Sequence, residues 1–121
     1  MYRGIVSEIV RVRLMCLVKH WNSVSYSEHK MWEEVGSNLY DLADDIVECC
    51  ELPFINEGVG INGIGVIEGV SGAEVVRVFG EIVDMIQGLG EVENSGVKSV
   101  LDNVVSEINR KVYLIKMGGL G

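Results

Sequence analysis

The chain has 121 residues, which is enough for one domain with a hydrophobic core. Hydrophobic residues make up 48% of it and its mean hydropathy is +0.27, which is high for a soluble monomer, so we expect apolar surface to be buried between subunits as well. The net charge of −8 repels nucleic-acid phosphates and argues against DNA binding, and the lack of a run of about eighteen uncharged apolar residues argues against a membrane span.

The first predicted helix covers residues 3–20 and is apolar around nearly its whole circumference. One apolar stripe along it consists of Ile5, Ile9, Val12 and Cys16. A second stripe consists of Val6, Val10, Leu14 and Leu17. A helix that is apolar on two sides is typical of a bundle helix that also packs against a neighbouring subunit.

The second predicted helix begins at a capping box formed by Ser25 and Glu28 and runs to about Glu51, before Pro53. A glycine-rich connection follows over about residues 57–72. It contains the GxGxxG pattern of a dinucleotide site, but it follows a helix and a proline rather than a strand, and no βαβ unit surrounds it. We therefore reject a dinucleotide site in this connection.

The last two predicted helices also have recognisable starts. Ser71 and Glu74 form a second capping box, which opens a third helix that runs through about Gln87. The fourth helix runs from Ser95 to about Met117. Because the sequence shows no convincing strand outside the glycine-rich connection, we predict a single all-α domain over the whole 121-residue chain, folded as a four-helix bundle.

The second helix carries four side chains that could bind a metal on one stripe. At about 100° per residue, these side chains lie within about 100° of one another on a helical wheel. They are His29, Glu33, Asp44 and Glu48. The apolar residues of the same helix centre on another side, so the stripe faces away from the core of its own chain. Because charged helix faces are usually solvated, the pattern alone favours a solvated acidic face over a metal site.

The distance between these side chains along the helix favours a metal site more than the pattern alone does. His29 and Glu48 lie roughly 28 Å apart along a continuous helix, so they cannot bind one metal within one chain. A second copy of the helix, antiparallel across a two-fold axis, would bring the His29–Glu33 pair of one chain to the Asp44–Glu48 pair of the other. Each pair has the i, i+4 spacing that places two side chains over one point, and Gly36 and Ser37, beside the midpoint near Asn38, are small enough for close approach. The expected result is two equal metal sites per dimer.

The two histidines each have a simpler explanation as well. His20 ends the first helix, where an imidazolium would interact favourably with the C-terminal end of the helix dipole. His29 lies in the first turn of the second helix, where a positive charge is disfavoured and a neutral, metal-binding imidazole is a better fit. Weighing these points, we favour a divalent-metal site.

A His-Trp-Asn triplet, then a histidine followed by acids at spacings of four, eleven and four, resembles Dps, the ferritin-like protein of starved bacterial cells, and above all its compact members in bacteriophage genomes. The matching residues are His20, Trp21, Asn22, His29, Glu33, Asp44 and Glu48. The resemblance implies a ferritin-like four-helix bundle with a metal site between two subunits. One chain would supply His20, His29 and Glu33. The other would supply Asp44 and Glu48, and Trp21 would lie beside the site.

The function implied by this resemblance is ferrous oxidation by peroxide or dioxygen, with storage of the oxide inside a homo-oligomer. That oligomer would be built from two-fold dimers and closed into a shell, for instance a dodecamer. Iron suits the mixed imidazole and carboxylate ligands, and Zn or Mn would suit them too. Glu33 stands where the family usually has Asp, and the basic N-terminal tail that many members use on DNA is missing. The alternative is a structural or virion-associated helical bundle that keeps this fold without catalysis.

The three cysteines, Cys16, Cys49 and Cys50, are an odd number with two adjacent, which argues against a disulfide framework and for a reducing compartment. We therefore expect a cytoplasmic protein, with the virion as the location under the structural alternative. Cys49 and Cys50 follow Glu48 and have two interpretations. They are soft ligands or redox thiols, or they are small buried residues at a helix end, which is the commoner case.

Overall fold

The structure is a computed structural model and describes residues 2–50 and 70–118. Within these residues it is all-α, with the helices α1 (Tyr2–Asn22), α2 (Tyr26–Gly36), α3 (Leu39–Cys50), α4 (Gly72–Gln87) and α5 (Ser95–Met117). Both α2 and α3 pack between α1 and α5, whereas α4 packs against α1 and α5 on the other side. The helices therefore occupy the four positions of a bundle, as predicted. Most of the predicted glycine-rich connection, with its GxGxxG pattern, lies outside the described residues, as do Glu51 and Pro53.

Side-chain oxygens cap the N-terminal ends of three helices. The Ser25 hydroxyl accepts a hydrogen bond from the Glu28 N–H at 3.2 Å, and the Ser71 hydroxyl accepts one from the Glu74 N–H at 3.1 Å. The Asn94 carboxamide oxygen accepts from two backbone N–H groups at the start of α5. Each bond satisfies a donor in the first turn, which has no partner within the helix. The helix starts predicted from the capping residues are confirmed.

The prediction of one continuous second helix is wrong, because the chain turns at Ser37 and Asn38 between α2 and α3. The Ser37 N–H and hydroxyl both donate to the Glu34 carbonyl, at 3.2 and 2.8 Å. The Asn38 carboxamide donates to the Glu107 carboxylate of α5 at 3.1 Å, while the Asn38 carbonyl accepts the Leu42 N–H. These short polar side chains compete with regular helix hydrogen bonds, so α2 ends and α3 begins here.

Contacts at the helix ends give the direction of each helix. The end of α1 meets the start of α2 at His20 and His29, so these helices are antiparallel. The start of α1 meets the end of α4, where Gly4 lies against Met85, and the end of α5 lies against Met31 of α2. It follows that α3 ends and α4 begins at opposite ends of the bundle, so α2, α3 and α4 all run in the same direction. With α2 and α3 counted as one position of the bundle, the order of directions is up, down, down, up.

The core lies along the inward face of every helix. On α1 the first predicted stripe is buried, consisting of Ile5, Ile9, Val12 and Cys16. Of the second stripe Val6 is buried, whereas Val10, Leu14 and Leu17 are half-buried and Trp21 beyond them is 67% exposed. Burial of that outer stripe against a neighbouring subunit stays a prediction. Across residues 2–50 and 70–118 no helix has both the length and the apolar character needed to cross a membrane.

Candidate metal centre

The two histidines meet where α1 ends and α2 begins. Their imidazole rings stack with centroids 3.7 Å apart and planes inclined by 25°. His20 Nδ1 lies 2.9 Å from the His29 carbonyl oxygen, and His29 Nδ1 lies 3.0 Å from the His20 carbonyl oxygen. The turn of residues 23–25 is short enough to bring the two helix ends together, and Ser25 fixes the start of α2.

These two hydrogen bonds determine which ring nitrogens carry protons. A carbonyl oxygen can only accept, so each Nδ1 must donate its N–H. In a neutral imidazole the Nε2 atom then keeps its lone pair. Metal-binding histidines usually have this arrangement, with one nitrogen donating to a carbonyl or carboxylate and the other bound to the ion. Both rings are half-buried, so they are partly shielded from water while still accessible.

Glu33 lies one turn after His29 and is exposed, but it is already paired. Lys30 Nζ donates to Glu33 Oε2 at 3.0 Å, and both side chains are about half-exposed. The pKa of Glu33 is lowered, first by this hydrogen bond and by the Lys30 charge, with smaller contributions from the imidazoles of His20 and His29. Glu33 is therefore ionised near both histidines, and a metal there would compete with Lys30 for its carboxylate. An exposed pair of this kind contributes little to stability and is easily opened.

Asp44 and Glu48 lie on α3 with exposed side chains, one turn apart and away from the core. The described residues of one chain contain no group of three or more His, Cys, Asp or Glu side chains that could hold a metal ion. The structure thus stacks His20 on His29, but it does not bring Glu33 into a three-ligand group with them, and Asp44 and Glu48 lie elsewhere on the same chain. A site with all five ligands needs two copies of the chain.

Gly36 has a different role from the one expected of it. It is buried, and a Cβ built on it would lie 3.2 Å from the Cys16 Cβ and 3.0 Å from the Arg13 guanidinium, both on α1. The missing side chain therefore allows α2 to approach α1 within one chain. The expectation that Gly36 serves a close approach between two subunits is wrong, because this face of the helix is covered by its own bundle.

A polar cluster inside the bundle was not predicted from the sequence. Lys111 of α5 is fully buried near Cys16 of α1, and its Nζ has no hydrogen-bond partner among the described residues. Burial raises the pKa of Cys16 to about 12, although Lys111 and Arg13 act in the opposite direction. Cys16 is therefore a protonated, unreactive thiol. A lysine at an apolar position of α5 was the available signal, since the neighbouring turns place Val104, Ile108 and Ile115 in the core.

The tryptophan expected beside the metal site is exposed. Trp21 follows His20 directly and begins an outward-facing surface at the end of α1. Its exposure would allow contact with a second copy, but no ring contact between Trp21 and the imidazoles occurs among the described residues of one chain. Comparison of the chain with protein-family models, with curated proteins and with solved structures gave no match.

Proposed function

We propose that this protein oxidises Fe(II) at metal sites shared by two copies of the chain, as a Dps-like ferritin does. The observation that carries the proposal is the reciprocal hydrogen bonding of His20 and His29, in which each Nδ1 donates to the carbonyl of the other residue. This arrangement leaves both Nε2 atoms as acceptors and holds the rings in place before any ion binds. A metal site requires imidazoles that backbone carbonyls hold in place, whereas a solvated acidic face has no need of them.

The directions of the helices support a ferritin-like bundle. In such folds one long crossover connects two consecutive parallel helices, and the other connections are short. Here α3 and α4 run in the same direction, whereas α1 joins α2, and α4 joins α5, through short turns. A simple up-down-up-down bundle would have every consecutive pair antiparallel. The fold proposed for this chain therefore agrees with the resemblance found around its histidines.

The chemistry of the proposed site follows from its ligands. Two neutral imidazoles and three carboxylates suit Fe(II), and they would also hold the Fe(III) that forms when Fe(II) gives an electron to peroxide or dioxygen. The net charge of −8 favours entry of cations. Glu33 would leave Lys30 to bind the ion, and Asp44 and Glu48 of a second copy would complete its coordination.

Mixed dimers test whether the site is shared. We expect His29→Ala and Asp44→Ala each to abolish rapid oxidation of Fe(II), followed by absorbance after addition of peroxide. Asp45→Ala is the matched control, because Asp45 is an exposed acid next to Asp44 and outside the proposed ligand set. In a dimer with one substitution on each chain, one site loses both halves and the other keeps every ligand. Such dimers should recover about half the wild-type activity.

Two outcomes would overturn the shared site. If mixed dimers form, as shown by mass spectrometry, and remain inactive, the ligands are not divided between chains. If His29→Ala and Asp44→Ala oxidise Fe(II) as fast as the Asp45→Ala control, the acidic stripe is a solvated face.

The second candidate is a structural bundle, for instance in a virion, and the outer face of α1 favours it. Leu14, Leu17 and Val18 are half-buried there, and the exposed Trp21 continues the same face. A helix that presents this much apolar surface away from its own core is suited to binding a partner. Two results together would favour the structural function over iron oxidation. The wild-type protein would not oxidise Fe(II), and Trp21→Glu would no longer bind the partner that the wild type binds.

A further inference from the structure

Two adjacent thiols meet at the end of α3. Cys49 and Cys50 are free and half-buried, and their Sγ atoms lie 3.7 Å apart. Consecutive residues of a helix point about 100° apart and do not normally face each other. The side chains of this pair converge nonetheless, while the Cys49 thiol donates to the Ile46 carbonyl of its own helix.

The separation of these sulfurs matches that of a metal chelate. A tetrahedral ion with metal–sulfur bonds of about 2.3 Å holds two thiolates about 3.8 Å apart. The observed Sγ–Sγ distance of 3.7 Å is therefore close to the distance that such an ion requires. A disulfide would need the two sulfurs at about 2.05 Å, which adjacent helical residues reach only by distorting the last turn of α3.

Negative charge also lies beside the two thiols. The last described turn of α3 contains no basic residue. Asp44, Asp45 and Glu48 add exposed negative charge along the same helix. An ion at the two sulfurs would therefore be favoured by the electrostatic potential as well as by its ligands.

We propose that Cys49 and Cys50 chelate one thiophilic divalent cation of the Zn²⁺ class within a single chain. Binding forms two metal–sulfur bonds, leaves two of the waters of the octahedral hydrated ion on the now tetrahedral ion, releases the other waters and the two thiol protons to solvent, and changes no oxidation state. Thiolates select soft ions of this kind, whereas the proposed iron site consists of imidazoles and carboxylates. The dithiol site is therefore chemically distinct from the iron site and does not depend on it.

Titration with Co²⁺ alone, in the presence of a phosphine reductant, tests the chelate. Thiolate binding to Co²⁺ produces a sulfur-to-metal charge-transfer band, and tetrahedral geometry produces intense visible bands. We expect both in wild-type protein and in the His29→Ala background, saturating at one Co²⁺ per chain and disappearing when Zn²⁺ is added. Cys49→Ser and Cys50→Ser should each weaken Co²⁺ binding by at least ~100-fold. Cys16→Ala is the matched control and should keep the band.

Several results would overturn the chelate. These are the absence of the sulfur band from wild-type protein, its saturation in Cys49→Ser or Cys50→Ser at the same Co²⁺ concentration as in wild type, and saturation at half an equivalent, which would mean thiols from two chains. Loss of the band in His29→Ala alone would also overturn it, because the cobalt would then belong to the imidazole site. Retention of the band in a His29→Ala protein that no longer oxidises iron would support both proposals separately.

Discussion

The buried side chain of Lys111 lowers the stability of the folded protein. Its side chain is fully buried, and its Nζ has no hydrogen-bond partner among the described residues. The pKa of Lys111 is lowered from 10.5, first by burial and then by the charge of Arg110, against the opposing effects of Glu107, Cys16 and Glu34. A buried ammonium without hydrogen bonds destabilises the folded state.

We expect Lys111→Met to raise the free energy of unfolding at neutral pH by about 1–2 kcal/mol, because methionine fills a similar volume without a charge. Folding lowers the pKa of Lys111, so the unfolded chain binds more protons than the folded chain between the folded pKa and 10.5. The wild type therefore gains stability as pH rises through that interval, and the advantage of the variant should shrink. Urea unfolding at neutral and alkaline pH measures this.

Lys116→Met is the control for that experiment, because Lys116 is exposed on the same helix. It should change the free energy of unfolding by less than about 0.5 kcal/mol. A Lys111→Met protein that is less stable than wild type at neutral pH would show that the ammonium has a partner that stabilises it.

At the scale of the element, the contact between α1 and α2 depends on one glycine. Gly36 is buried against Arg13 and Cys16, whereas Gly80, in the middle of α4, is exposed with nothing within 4 Å of an added Cβ. Gly80 lies inside a helix, where glycine has an intrinsic disadvantage relative to alanine, whereas Gly36 is the last residue of α2. Only at Gly36 does packing oppose the added methyl group.

We expect opposite effects of the same substitution at these two positions. Gly36→Ala should lower the free energy of unfolding by about 1–3 kcal/mol, because the new methyl group pushes α2 away from α1. Gly80→Ala should raise it by about 0.5–1 kcal/mol through helix propensity. Denaturant unfolding followed by circular dichroism gives both values, and equal effects at the two sites would contradict the close approach at Gly36.

The start of α5 allows a second test on one helix. Asn94 caps the helix by accepting from the N–H groups of Gly96 and Val97, at 2.9 and 3.1 Å, whereas Asn103 is exposed within the same helix. Asn94→Ala should lower the free energy of unfolding by about 1 kcal/mol. Asn103→Ala should leave it unchanged or raise it slightly, since alanine has the higher helix propensity. If both substitutions were neutral, the cap would not contribute to stability.

At the scale of the whole molecule, the proposed function requires assembly. One chain holds the imidazoles at one end of α2 and the acids Asp44 and Glu48 on α3, with the outer face of α1 apolar. The acids are exposed, and the outer face of α1 is half-buried to exposed. Under the proposed function a second copy would complete the metal sites, and we expect the apolar face to be buried within the oligomer.

We therefore expect light scattering at micromolar concentration to give a mass of at least twice 13.3 kDa. Trp21→Glu should reduce this mass, because it places a charge on the outer face of α1 at an exposed position. Tyr113→Glu is the control, since Tyr113 is similarly exposed on α5 and should leave assembly unchanged. A monomeric wild-type protein would rule out the shared site.

Sequence alone was sufficient for the features that depend on neighbours along the chain. The helix starts at Ser25 and Ser71 follow from side chains that bond backbone groups three residues away. The buried face of α2 and α3, including Trp32 and Ile46, follows from helical periodicity. The four-helix bundle is the consequence of these local signals, because amphipathic helices of such lengths bury their apolar faces against one another.

Tertiary structure alone decided the features that join residues far apart in the sequence. The end of α2 depends on Asn38, whose carboxamide bonds Glu107 on another helix, 69 positions later. Similarly, the hydrogen bonds between His20 and His29 exist only because α1 and α2 fold back on each other. Capping and periodicity describe a residue and its near neighbours. The packing of the completed helices determines which distant carbonyl a ring nitrogen contacts. It also determines whether a glycine faces its own bundle or solvent.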